Sequence, residues 1–170
     1  MPVSSVAMAV EGVLMKPLAA VPIHTGIALY HSLKENFNIL LYSDQDRKKL
    51  DHWLSIEALN IQTAVEYNDG QRHWLSDSDR KIQQLNSLRN RGYKIELVIE
   101  PSPSASVAML NNGFNVLTFS HAQYAMPKWR PDFEHAQSEW SQLAEAAEKQ
   151  AQLKAMDRRL DKLDEDRDWD

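Results

Sequence analysis

The chain has 170 residues and a net charge of -5; 43% of the residues are hydrophobic, 25% are charged and none is cysteine. These values are typical of one globular domain with an appendage, and the lack of thiols excludes disulfides, thiolate metal sites and a cysteine nucleophile. No apolar run approaches the roughly 20 residues of a membrane-spanning helix, so we expect a cytoplasmic protein with no membrane partner.

Short apolar runs alternate with stretches of helical periodicity between residues 6 and 119. Apolar runs such as NILLY at 38–42 predict buried strands, whereas apolar residues three or four positions apart predict helices. The predicted strands are 6–10, 38–42, 61–67, 93–99 and 115–119. The predicted helices are 26–37, 47–59, a helix capped by 76–79 that ends at 91, and 104–112.

This alternation predicts an α/β fold, a Rossmann-like three-layer sandwich with a mostly parallel five-stranded sheet. We assign residues 1–131 to this domain and residues 132–170 to a C-terminal acidic helical extension, with one long helix from 135 to about 164. The domain carries 13 Lys+Arg and 12 Asp+Glu, a net charge of +1, whereas the extension carries 6 and 12, a net charge of -6. A duplex-binding protein normally shows a basic face, and this domain is nearly neutral, so we expect no nucleic-acid partner.

The predicted C-terminal helix carries two sets of apolar residues that are out of phase with each other. The second set has the spacing of a short coiled-coil seam, so we expect the helix to bind a protein partner or to mediate self-association. The alternative is that the helix packs on its own domain, where its apolar stripe would be core. The first set is Trp140, Leu143 and Ala147, and the second is Leu153, Met156, Leu160 and Leu163.

Polar residues lie at the carboxyl ends of three predicted strands. In an open parallel sheet, ligands bind beyond these ends, near the point where the strand order reverses. Each residue also has an ordinary explanation: Glu11 as an exposed turn acid, Ser43 as a helix cap and Glu100 as a strand terminus. The candidate pocket residues are Glu11, Gly12, Ser43, Asp44, Glu100 and Ser102.

The motifs at these strand ends resemble those of the haloacid dehalogenase-like (HAD-like) superfamily. The first motif of that family is an apolar strand followed by Asp-x-Asp-Gly-Thr/Val-Leu, and this chain has AVEGVL at residues 9–14. Ser43 after NILLY is similar to the Ser/Thr of the second motif. Residues 96–119, ELVIEPSPSASVAMLNNGFNVLTF, are similar to the fourth motif. The run PKWRPDF at 127–133 resembles small HAD-like proteins encoded by bacteriophages.

The resemblance implies a phosphate-transfer site that lacks some of the family's catalytic carboxylates. In active members the first Asp attacks phosphorus and binds Mg²⁺, the second is the general acid and base, and the Ser/Thr and a lysine hold the phosphoryl oxygens. Here Ala9 replaces the first Asp, Glu11 replaces the second, and Glu100 is the only fourth-motif acid. We therefore expect no cofactor and a catalytically degenerate protein that binds a protein partner or a phosphorylated small molecule.

Two other functions stay open. One is an active Mg²⁺-dependent phosphatase or nucleotidase, in which another carboxylate such as Asp44 or Glu100 supplies the chemistry. The other is a structural or assembly protein that uses the C-terminal helix and whose pocket is filled by its own side chains.

Overall fold

The structure, a computed structural model, describes residues 4–17, 19–70, 74–119, 142, 143 and 145. In this part of the chain, five parallel strands form one sheet, and four helices connect them. The strands are β1 (Ser5–Ala9), β2 (Asn38–Tyr42), β3 (Ala64–Glu66), β4 (Ile95–Glu100) and β5 (Val116–Thr118). The helices are α1 (His24–Leu33), α2 (Arg47–Ile56), α3 (Asp77–Asn90) and α4 (Pro103–Asn111). The predicted α/β class and Rossmann-like sandwich are confirmed.

The strand order is β3-β2-β1-β4-β5. The strands β2 and β3 lie on one side of β1, and β4 and β5 lie on the other, so the strand order reverses between β1 and β4. Parallel crossovers are almost always right-handed, which places α1 and α2 on one face of the sheet and α3 and α4 on the other. The two helices α3 and α4 accordingly pack against each other. The carboxyl ends of β1 and β4 flank the switch point, where ligands of such sheets bind.

The central strand β1 is buried along its whole length, from Ser5 to Ala9. A strand that is covered on both faces needs apolar residues at consecutive positions, which is why it appears in the sequence as a continuous apolar run. Its neighbour β2 is also buried from Ile39 to Tyr42. These two strands form the centre of the core, to which β4, the loop after β1 and the helices also contribute.

The strand β3 is shorter than the predicted 61–67, and two helices end several residues before their predicted ends for local reasons. The helix α2 ends at Ile56, not at Leu59, because Ala58 adopts a left-handed φ of 55° and the Leu59 N–H donates to the Leu54 carbonyl. That pattern terminates a helix. The helix α1 ends at Leu33, and Phe37 lies in the turn that leads to β2.

The start of α1 lies against the loop that follows β1. A Cβ atom added at Gly26 would lie 1.7 Å from the Val13 carbonyl oxygen, which is a backbone atom. Neither the helix nor the loop can retreat without opening the core, because Val13 and Leu14 are fully buried. This close contact fixes the loop that carries the first group of candidate site residues.

We predict that Gly26→Ala lowers the free energy of unfolding by about 1–3 kcal/mol, the usual cost of overpacking in a well-packed interior. Urea denaturation of the purified variant measures this. Thr25→Ala adds no atom at an exposed position of the same helix and should stay within about 0.5 kcal/mol of wild type. Equal stability of the two variants would contradict the close contact.

Candidate functional site

The loop after β1 is a tight turn that carries Glu11. The N–H groups of Leu14 and Met15 both donate to the Val10 carbonyl at 3.0 Å. Gly12 has a φ of 84°, and a Cβ atom there would lie 2.5 Å from Pro101 Cγ. Only glycine therefore fits, and the loop after β1 packs directly on the segment that follows β4.

Glu11 binds the end of β2 through both of its carboxylate oxygens. The Ser43 hydroxyl donates to Oε1 at 2.6 Å, and the Asp44 N–H donates to Oε2 at 3.1 Å. Burial raises the pKa of Glu11 above its usual 4.5, although the hydrogen bond from Ser43 opposes the shift. Glu11 is therefore a half-buried, hydrogen-bonded group, and its interpretation as an exposed turn acid is wrong.

Ser43 is not the cap of α2. That helix is capped by Asp46, whose side chain accepts from the Lys49 N–H at 3.0 Å. The Ser43 side chain is instead buried, where it donates to Glu11 and accepts from the Gln45 N–H at 3.0 Å. The cap lies three residues later because α2 begins at Arg47.

Glu100 ends β4 and is fully buried. Lys81 Nζ lies 2.9 Å from Oε1, which also accepts from the Ser102 N–H at 2.9 Å. The Tyr42 hydroxyl donates to Oε2 at 2.7 Å. These donors compensate the cost of burying the carboxylate. Burial alone would lower the pKa of Lys81, but Glu100, Asp77 and Asp44 together raise it.

The Tyr42–Glu100 hydrogen bond passes over Ala9. Ala9 pairs with Tyr42, and β1 lies between β2 and β4 in the sheet. A bond from the last residue of β2 to the last residue of β4 must therefore cross the end of β1. Ala9 is 1% exposed, and burial together with Glu100 raises the pKa of Tyr42 far above its usual value. The side chain at position 9 is enclosed by its neighbours.

A second ionic group connects Asp44 to α3. Arg80 lies 3.0 Å from Asp44 and 2.6 Å from Asp77. Asp77 also lies 3.3 Å from Lys81 Nζ, so it joins this group to Glu100. Ser102, a predicted pocket residue, caps α4 by accepting from the Ala105 N–H. The structure thus brings all the predicted pocket residues to the switch point, in two groups linked through α3.

Sequence reasoning missed Tyr42, Asp77, Arg80 and Lys81, which complete these groups. A signal for Lys81 was present, because it lies four residues before Leu85 and seven before Leu88, on the face predicted to point inward. A lysine in that position needs a buried acid as its partner. Tyr42 gave no comparable signal, because an aromatic residue at the end of an apolar strand is ordinary core.

Among residues 4–17, 19–70, 74–119 and the three isolated positions, no group of three His, Asp or Glu side chains could hold a metal ion. The helices in those ranges include none that is both long and apolar enough to cross a membrane.

In the predicted extension, Leu143 is helical and half-buried, whereas Gln142 and Glu145 are exposed. The other predicted contact residues lie outside the described residues: Trp140, Leu153, Met156, Leu160 and Leu163.

No protein-family model matches the chain, and no curated protein matches it.

We predict that breaking the buried ion pair is costly. Lys81→Met or Glu100→Gln should each lower the unfolding free energy by about 3–5 kcal/mol, because each leaves a buried group without its partner. The double variant should lose less than the sum of the two, which a double-mutant cycle in urea measures. Lys49→Met removes an exposed pair with Asp46 and should change stability little. Strict additivity would contradict direct coupling between Lys81 and Glu100.

We also predict a pH dependence from Glu11. Its pKa is higher in the folded than in the unfolded protein, so the stability contributed by its neutral form is full below pH 4.5 and falls as pH rises through the raised pKa. Wild type should therefore lose stability relative to Glu11→Gln as pH rises from 4.5. Urea titrations from about pH 4 to 7 measure the difference. Glu35→Gln removes an exposed carboxylate as the charge control. Parallel curves for wild type and Glu11→Gln would contradict the raised pKa.

Proposed function

We propose that this protein is a catalytically inactive member of the HAD-like superfamily that acts by binding and not by turnover. The observation that carries this proposal is Ala9, a methyl group at the position of the attacking Asp, beneath the Tyr42–Glu100 hydrogen bond. A methyl group supplies neither a nucleophile nor a metal ligand, and Ala9 is 1% exposed. The convergence of Glu11, Ser43 and Glu100 at one switch point supports the family assignment.

The lysine expected from the resemblance also has a local candidate. Lys81 lies beside Glu100, where it could hold phosphoryl oxygens, but its ammonium group already forms ion pairs with Glu100 and Asp77. Arg80 is likewise held by Asp44 and Asp77. A phosphate would have to displace these carboxylates from both cations, at a cost of several kcal/mol for the buried pair.

The charge of the cluster also opposes an anionic ligand. Asp44, Asp77 and Glu100 contact the two cations Arg80 and Lys81, and Glu11 adds a fourth carboxyl group through its hydrogen bond from the Asp44 N–H. Even with Glu11 protonated, the carboxylates outnumber the cations. We therefore favour a protein partner over a phosphorylated small molecule. The second apolar set of the C-terminal helix is the proposed contact, and a cytoplasmic location and a bacteriophage origin are parts of the same proposal.

The direct test is a phosphatase assay with p-nitrophenyl phosphate and a panel of nucleotides in the presence of Mg²⁺. We expect no turnover above buffer from wild type. Ala9→Asp should also be inactive, because the new carboxylate would face Glu100 under Tyr42. It should be less stable than the uncharged isostere Ala9→Asn, and inorganic phosphate should not raise the Tm of wild type.

Two results would end this proposal. One is wild-type turnover at an ordinary enzymatic rate, about 1–1000 per second, that Glu11→Gln abolishes. The other is a Tm that rises with phosphate in wild type but not in Lys81→Met, since that would show that the cluster binds anions. Either result would favour the active phosphatase with Asp44 or Glu100 in a catalytic role.

A further inference from the structure

One half of a sheet face has an apolar surface that none of the helices α1 to α4 covers. Glu100 binds Lys81 of α3, so it points to the α3 side, and Ile99 points to the opposite side. Ile99 pairs with Leu117 of β5, which therefore shares that side. On this side, α1 and α2 connect β1, β2 and β3, which leaves β4 and β5 uncovered by these two helices.

The uncovered area is apolar. We call it the β4–β5 face; its residues are Leu97, Ile99, Leu117 and Phe119. Leu117 is 46% exposed, and Leu97 and Phe119 are half-buried, whereas Ile99 is fully buried beside β1. All-parallel sheets occur almost only with both faces covered. We therefore expect another segment to shield this face from water, because α1 to α4 do not cover it.

We propose that the first apolar set of the C-terminal extension of the same chain, Trp140, Leu143 and Ala147, covers the β4–β5 face. The described positions support this, since Leu143 is helical and half-buried while its neighbours Gln142 and Glu145 are exposed. A helix with this pattern presents Leu143 to an apolar surface and its neighbours to water. The second apolar set then stays free for the proposed partner.

The chain between the face and the first set is long enough. Residues 120–134 separate Phe119 from the start of the predicted helix, and 15 extended residues span about 50 Å. Five strands measure only about 24 Å across. A tether of this kind gives an effective concentration in the millimolar range, so the chain's own segment outcompetes a second copy at micromolar concentrations.

The test uses the absence of native cysteines, which makes an introduced thiol unique. Leu117→Cys is placed in the full-length chain, and its reaction with a maleimide is timed at several protein concentrations. In this background, Leu143→Asp should speed the reaction several-fold. Gln142→Asp adds the same charge at an exposed neighbouring position and should leave the rate within about twofold. The rate should not depend on protein concentration.

Hydrogen exchange on the native sequence is the second measurement. Amides of β4 and β5 should exchange faster in Leu143→Asp than in Gln142→Asp, with α2 unchanged in both. Equal thiol rates and equal exchange in the two variants would overturn the proposal. A thiol protection that grows with protein concentration would assign the face to a second copy and also overturn it. None of these outcomes depends on whether the strand-end cluster is catalytic, so they leave the proposed loss of activity untouched.

Discussion

The hydrogen bond from the Tyr42 hydroxyl to the Glu100 carboxylate is the contact on which the strand ends depend. It joins β2 to β4 over β1 at 2.7 Å, and Ala9, at the end of β1, is 1% exposed. A carboxylate without exposure to water needs several donors, and Lys81 and the Ser102 N–H supply the others. Tyrosine, lysine and glutamate are therefore interdependent, and a change in one alters the cost of burying the rest.

Residue types suited to catalysis thus bind one another at the strand ends. The switch point of an open parallel sheet is where polar groups converge and ligands usually bind. In this protein the cations that converge there are already bound by carboxylates, and Ser43 donates to Glu11. Side-chain contacts thus hold the carboxyl ends of β1, β2 and β4 together.

On the proposal that the strand-end cluster does not catalyse a reaction, the function needs another surface. Two such surfaces emerge from the chain: the apolar β4–β5 face, with Leu117 at its exposed edge, and the acidic C-terminal extension. The two apolar sets of the extension are out of phase, so one helix cannot present both to the same surface. On the two proposals above, one set stabilises the domain and the other meets a partner.

The sequence by itself determined the order and kind of the elements. Continuous apolar runs define β1 and β2, because strands buried on both faces tolerate few polar residues. Ser76 marks the start of α3, because it caps that helix. The sequence also predicted that Glu11, Ser43 and Glu100 lie at the same edge of the sheet, since the carboxyl ends of parallel strands all lie at one edge. The tertiary structure alone decided the partners. Tyr42 and Glu100 are 58 positions apart and Lys81 and Glu100 are 19 apart, and such pairs depend on the strand order, which periodicity along the chain does not encode.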